Sequence, residues 1–243
     1  MIGKQMKRII IESCSFSYPK SEGLDNHDAV LSAVSVNEDI YIALADGVGR
    51  SSEAKLTSMT AIESVFNTIT STSSPSMDYI FKCAQSSLEK IGNQEDSLNK
   101  MATTLVVCKI NKKGVTIGNV GDSRAYVVND RALKKITNDH TEKESLLKRG
   151  VFTKKELKNH QSENVLTNSL RPFKGFEIEL HHEELNSGSI ILVSDGVYKA
   201  FEGKRVIGNV SSIDLTQVCL NIKKQVQKVG SKDDFSLVAV SFE

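Results

Sequence analysis

Apolar residues recur along this chain with two different periods. Between Ser52 and Thr68, residues Ala54, Met59, Ile62, Val65 and Phe66 share one face of a 3.6-residue repeat, which predicts a helix. A second helix is expected from about Met77, where Ile80, Phe81, Ala84, Leu88 and Ile91 keep the same period. The Ser/Thr-rich stretch 68–76 between them ends in Ser-Pro and reads as a loop. Strand patterns precede the pair at Arg8–Phe16, Ala29–Val36 and Asp39–Ala45. Others follow it at Thr103–Ile110, Gly114–Val120, Arg124–Asn129 and Leu133–Ile136. The short polar turns Asn111-Lys112-Lys113-Gly114 and Asn129-Asp130 make antiparallel hairpins of these. A charged, largely helical segment then spans His140–Asn159. Strands near Phe176–His181 and Ser189–Ser194, a helix over Asp214–Val229 and a last strand at Phe235–Phe242 complete the pattern.

Helices do not alternate one for one with strands. That argues against a doubly wound parallel sheet and for antiparallel sheets covered by helices. An α+β fold of two packed sheets with a helix layer outside each fits. The 243 residues suit a single domain spanning 1–243. With 39% hydrophobic and 25% charged residues, the chain can bury a sizeable core.

Charge narrows the function. Lys+Arg total 31 against Asp+Glu 30, so the basic excess of a nucleic-acid binder is missing. The longest apolar run, Ile40–Ala45, is far short of the roughly 20 residues of a spanning helix, and Met1–Arg8 is mostly polar. A cytoplasmic protein with no membrane partner is expected. Cys14, Cys83, Cys108 and Cys219 are widely spaced and form no CxxC, so they read as buried or idle thiols.

Several acidic residues stand where apolar runs start or stop. Asp46 follows Ile42-Ala43-Leu44-Ala45 and precedes Gly47; Asp195 follows Ile191-Leu192-Val193-Ser194 and precedes Gly196. Asp122 follows Val120-Gly121, Asp233-Asp234 precede the last strand, and Asp28 stands just before Ala29-Val30-Leu31. Singly, each is ordinary turn chemistry. Jointly, buried strands would carry them to a common core edge, where clustered carboxylates repel and are costly to desolvate. A hard divalent cation resolves this with oxygen ligands. Glycine after Asp lets a backbone carbonyl approach closely. Without HExxH or Cys/His spacing, Mg or Mn is expected rather than zinc.

In order along the chain, these segments resemble the metal-dependent protein phosphatases of the PP2C (PPM) family, in its compact bacterial form. The likeness rests on Asn26-His27-Asp28-Ala29, Ala45-Asp46-Gly47-Val48-Gly49, Ala102-Thr103-Thr104-Leu105 and Gly121-Asp122-Ser123-Arg124-Ala125-Tyr126. It continues through Thr137-Asn138-Asp139-His140-Thr141, Asn164-Val165-Leu166-Thr167, Ser194-Asp195-Gly196-Val197 and Asp233-Asp234-Phe235-Ser236. The resemblance implies a four-layer αββα sandwich with a flap subdomain at about 141–165. It implies two Mn or Mg ions and a third, weaker one. Asp46 would bridge both metals, Gly47 would offer its carbonyl, and Asp195 and Asp233 would complete the second site. Asp28 would hold metal-bound waters, and Asp122 would join Asp195 around the third ion. The implied reaction is hydrolysis of phosphoserine and phosphothreonine in proteins by water activated between the ions, opposing a cognate Ser/Thr kinase. A monomer is expected.

The chain departs from the family pattern in places. Gly23 stands where the family usually has a phosphate-gripping arginine, five residues before Asp28. Lys20 is the nearest substitute, without the bidentate fork. His27 replaces the usual Glu; it could accept a hydrogen bond from metal-bound water or act as an acid near neutral pH, or be a partly exposed loop histidine beside a carboxylate. Arg50 follows Gly49 where a second Gly is common, and could reach phosphate or only begin the helix. Asn168 lies where compact relatives often have Arg. These departures motivate an alternative: a catalytically weak relative that binds phosphoproteins or regulates a partner.

Overall fold

A computed structural model of the chain describes residues 8–49, 51–94, 96–129, 132–150, 152–153, 156–159, 165–201 and 214–243. Arg50, His160 and Asn164 lie outside the described residues, as does part of the expected flap. Two antiparallel sheets are present. The first has the order β1 (Ile10–Tyr18), β11 (Phe235–Phe242), β10 (Gly188–Val193), β7 (Arg124–Asn129), β8 (Ala132–Lys135). The second runs β2 (Asp28–Val36), β3 (Asp39–Val48), β5 (Leu105–Asn111), β6 (Gly114–Val120), β9 (Glu179–Glu183), with the short β4 (Ala102–Thr103) on the end of β3.

The alternation of β3 explains the layering. Tyr41, Ala43 and Ala45 face helices α1 (Ser51–Ser71) and α2 (Met77–Gly92), whose Ile62, Val65, Phe81 and Leu88 complete that core. Ile40, Ile42 and Leu44 face the other way, into the core between the sheets with Ile190, Leu192, Val238 and Val240. A third core lies under α4 (Asp195–Phe201) and α5 (Leu215–Val229), where Val218 and Ile222 meet Leu237 and Ala239. A strand buried on both faces has no need of polar residues, hence the continuous apolar run. The result is the expected αββα sandwich. The β5–β6 and β7–β8 hairpins pair antiparallel as their turns predict.

Helix ends follow their capping chemistry. Ser76 caps α2 by accepting from Tyr79 N at 3.2 Å, and Asp214 caps α5 by accepting from Gln217 N at 3.0 Å. In the charged segment after His140, Thr141 caps the short α3 (Glu142–Lys148).

The structure differs from the sequence pattern at three places. Helix α4 begins at Asp195 where no helix is expected, because its seven residues hold too little of a period to read. The strand expected at Phe176–His181 forms at Glu179–Glu183 instead; Phe176 and Ile178 are spent on the core beneath α1 and α2. The four cysteines are not all idle thiols: Cys14 on β1 is disulfide-bonded to Cys219 on α5, leaving Cys83 and Cys108 free. A separation of 205 residues hides that pairing from spacing rules. Among the described residues, no helix is long and apolar enough to cross a membrane.

Candidate metal centre

The five carboxylates singled out from the sequence come from strand ends at one edge of the two sheets. Asp28 and Asp46 are direct partners across β2 and β3. Asp122 lies between β6 and β7, Asp195 directly follows β10 after Ser194, and Asp233 shortly precedes β11. Central strands of both sheets thus deliver acidic side chains to the same place.

The backbone of Asp46 is pinned by β4 and its neighbour. Its N–H donates to Thr104 Oγ1 at 3.0 Å. Its carbonyl accepts from Thr104 N and from Thr103 Oγ1, each at 2.9 Å. Gly47 follows with no room for a side chain: a Cβ there would run into the Ala54 carbonyl of α1. The Gly47 N–H donates to the His27 carbonyl at 3.1 Å, which ties the β2 entry to β3. Gly196 is under a similar restriction, since a Cβ would meet the Asp234 carbonyl.

Asp28 is buried, and its Oδ2 accepts from Ser194 Oγ at 2.8 Å. Burial is the main force raising its pKa to about 7, with Asp195 and Asp234 adding to it and hydrogen bonds from Ser236 and Ser194 opposing it. Asp46 keeps a partly open face but is raised well above the usual carboxylate range, by desolvation first and then by Asp28, Asp195, Asp122 and Asp233. Burial and Asp195 raise Asp122 to about 6. Asp233, on the exposed rim, is also raised, by desolvation and by Asp195. The carboxylates therefore feel one another, as clustered like charges must, with Lys199 and Lys20 offsetting only part of the repulsion.

Among the described residues, two buried oxygens in this cluster, Asp28 Oδ1 and Asp195 Oδ1, have no hydrogen-bond partner. Unpartnered carboxylate oxygens among like charges are what a hard divalent cation satisfies, so the residues fit Mg or Mn. Among the described residues, no group of three or more His, Cys, Asp or Glu side chains is gathered closely enough to hold a metal ion by itself. Mg²⁺ needs no such group, since it keeps several waters and takes only one or two carboxylates.

His27 is turned toward Asp234. The Asp234 carboxylate accepts from His27 N at 2.8 Å and Lys20 N at 2.8 Å, and lies 3.3 Å from His27 Nδ1. This buried acid holds the 20–27 loop against β11. Its role is not visible in the sequence, because two adjacent aspartates look alike until burial separates them: Asp233 is exposed and Asp234 is 2% exposed. Gly23 has positive φ (+83°) and open space around it, so no side chain stands at the expected arginine position. Lys20 is exposed, and its charge is felt at Asp233.

Two further groups support the centre. Arg124 makes a bidentate pair with Asp139, its Nη2 2.6 Å from Oδ2, and its guanidinium lies 3.4 Å from the centre of the Tyr198 ring. Tyr198 Oη in turn reaches Asp122 Oδ2 at 3.4 Å. Away from the carboxylates, a cavity of about 630 Å³ is lined by His140, Asn168, Glu177 and Glu179. There His140 Nδ1 accepts from Gly121 N at 3.1 Å and lies 3.0 Å from Asn168 Nδ2.

Comparison with known proteins bears on the family and the fold. A family model described as Protein phosphatase 2C matches residues 19–229. The chain is 35% identical over 104 residues to "Serine/threonine phosphatase stp" of Listeria monocytogenes, covering 42% of this chain and 41% of that protein. The matched segment is thus less than half of that relative. The crystal structure of the serine/threonine phosphatase Stp1 from Staphylococcus aureus superposes with a TM-score of 0.84 at 22% identity, covering 100% of both chains. A catalytic domain of the phosphatase PstP, solved in complex with two manganese ions, superposes at 0.74 and 19% identity, covering 96% of this chain and 98% of that one.

Proposed function

The chain belongs to the protein phosphatase 2C family, and we propose that it hydrolyses phosphoserine and phosphothreonine in proteins with the help of two Mn or Mg ions. The carrying observation is the convergence of Asp28, Asp46, Asp122, Asp195 and Asp233 with two buried oxygens left unpartnered. Asp46, the Gly47 carbonyl, Asp195 and Asp233 would hold the ions, with Asp28 behind them. When bound, such ions supply an activated water at neutral pH and offset charge on the phosphoryl oxygens.

This chain's own residues supply the positioning. Thr103 and Thr104 lock the Asp46 backbone, so that its carboxylate is held in place. Ser194 orients Asp28. The main chain of His27 joins Asp234 to Gly47, and its ring, beside Asp234, is a candidate proton carrier. Lys20, at the rim near Asp233, is the cation we assign to the substrate phosphate in place of the missing arginine. The departures at Gly23 and His27 keep the second reading, a catalytically weak phosphoprotein binder, as the alternative.

Phosphorylated proteins and a cognate Ser/Thr kinase are the proposed partners. The name of the Listeria relative, a serine/threonine phosphatase, supports the first. A monomer of one domain with a flap at about 141–165, placed in the cytoplasm, completes the reading. Hydrolysis of p-nitrophenyl phosphate separates the two functions. Turnover that appears with Mn²⁺ and stops with a chelator supports the phosphatase; no turnover at any Mn²⁺ concentration supports the binder.

A further inference from the structure

Helix α4 starts inside the carboxylate cluster. It opens on Asp195 and reaches Lys199 one turn later, a spacing that brings the two side chains onto one face. Lys199 Nζ donates to Asp195 Oδ2 at 2.6 Å. Its reach extends beyond that partner. The carboxylates of Asp122 and Asp233 also lie within range of its charge. Asp122 feels the ammonium in return. The preceding residue, Tyr198, presents its hydroxyl to Asp122. Consecutive residues of α4 therefore address two carboxylates of the cluster.

An i,i+4 pair on a solvated helix face is worth only about 0.3–0.5 kcal/mol and would mean little. Here the acid partner is a member of the cluster and is largely buried, with a side-chain exposure of 13%. One of its oxygens is taken by Lys199, while the other is buried and unpartnered. A divalent ion and an ammonium cannot share the same side of one carboxylate, because their mutual repulsion at contact distance is strong.

We propose that Lys199 is a built-in cation of the centre. Its ammonium occupies the Asp195–Asp122 side, where the family resemblance places a third, weaker ion, and confines divalent ions to the side formed by Asp46, Asp28, Asp233 and the free oxygen of Asp195. The inference rests on the reading of the cluster as a divalent-metal centre.

The test counts ions directly. Mn²⁺ bound per chain is measured by equilibrium dialysis with elemental analysis, and its affinities by titration calorimetry, for wild type, Lys199→Gln and Lys199→Arg. Wild type and Lys199→Arg should bind about two ions, and Lys199→Gln a third with at least roughly tenfold higher affinity than wild type shows for any third ion. Lys199→Met, which keeps the length of the side chain without its charge, should behave as Lys199→Gln does. Equal ion counts and affinities in wild type and both neutral variants would overturn the role of Lys199, as would three tight ions in wild type. Absence of any Mn²⁺ binding to folded wild type would overturn the metal reading itself, and this inference with it.

Discussion

Asp28 and Asp46 stand directly opposite each other across β2 and β3, two carboxyl groups at a position where neighbouring strands normally place compatible side chains, and burial and mutual repulsion raise the pKa of both. Such a pair costs stability unless a cation lies between or beside it. The metal-free protein should therefore be less stable than its Asp46→Asn variant. Relief of about 1 kcal/mol would raise the Tm in chelator by about 2–4 °C. Saturating Mn²⁺ should raise the Tm of wild type and leave the variant nearly unmoved. Circular-dichroism melts with EDTA and with Mn²⁺ check both; a variant that melts lower than wild type in EDTA contradicts the account.

The Arg124–Asp139 pair supports the centre from the side and should make the fold acid-sensitive. Burial opposes ionisation of Asp139, but its hydrogen bonds and charge interaction with Arg124, helped by Lys135, win and hold its pKa below the usual value. A carboxyl depressed in the folded state contributes stability that is fully present above its unfolded value, about 3.9, and is lost as the pH falls through the lower folded value. Asp139→Asn leaves a buried guanidinium underpaired and should cost about 3 kcal/mol at neutral pH. Urea unfolding of wild type and variant should show a constant gap from about pH 8 to about pH 5, narrowing below about pH 4. A gap that widens on acidification contradicts the assignment.

Gly47→Ala tests the close approach of β3 to α1. The added methyl would meet the Ala54 carbonyl, so strand and helix must separate. The expected cost is about 1–3 kcal/mol in chemical denaturation, with loss of Mn²⁺ affinity because Asp46 moves with its neighbour. An unchanged denaturation midpoint would show that α1 gives way freely.

Lys20→Ala addresses the missing arginine. One charge-assisted contact to phosphate should be worth about 1.5 kcal/mol, so KM for a phosphothreonine peptide should rise roughly tenfold while kcat changes little. KM equal to that of wild type would assign phosphate binding elsewhere.

Much of the fold was legible because the strands are apolar on both faces or alternate cleanly. The run Ile40–Ala45 announces a doubly covered strand, and the helix faces of α2 and α5 are regular, whereas on α1 Met59 and Phe66, expected on the buried face, are exposed. The five carboxylates were legible for the same reason: each ends or begins such a run. The supporting groups were not. Asp234 is distinguished from Asp233 only by burial, and Thr103, Thr104 and Ser194 are common residues whose hydroxyls matter through contacts distant in sequence. Lys199 is invisible without α4, a helix too short to show a period. Cys14 and Cys219 meet only through tertiary packing of β1 against α5.

At the centre of the account stands the proposal that the Asp46 cluster drives hydrolysis through bound divalent ions. The most direct measurement is a Mn²⁺ titration of phosphothreonine-peptide hydrolysis by wild type and by Asp46→Asn, with the variant's fold verified by its melt. The account predicts saturable, chelator-reversible activity in wild type and loss of at least about a hundredfold in the variant, a drop of about 2.7 kcal/mol or more in transition-state stabilisation. Equal Mn²⁺-dependent activity in the two proteins would contradict it.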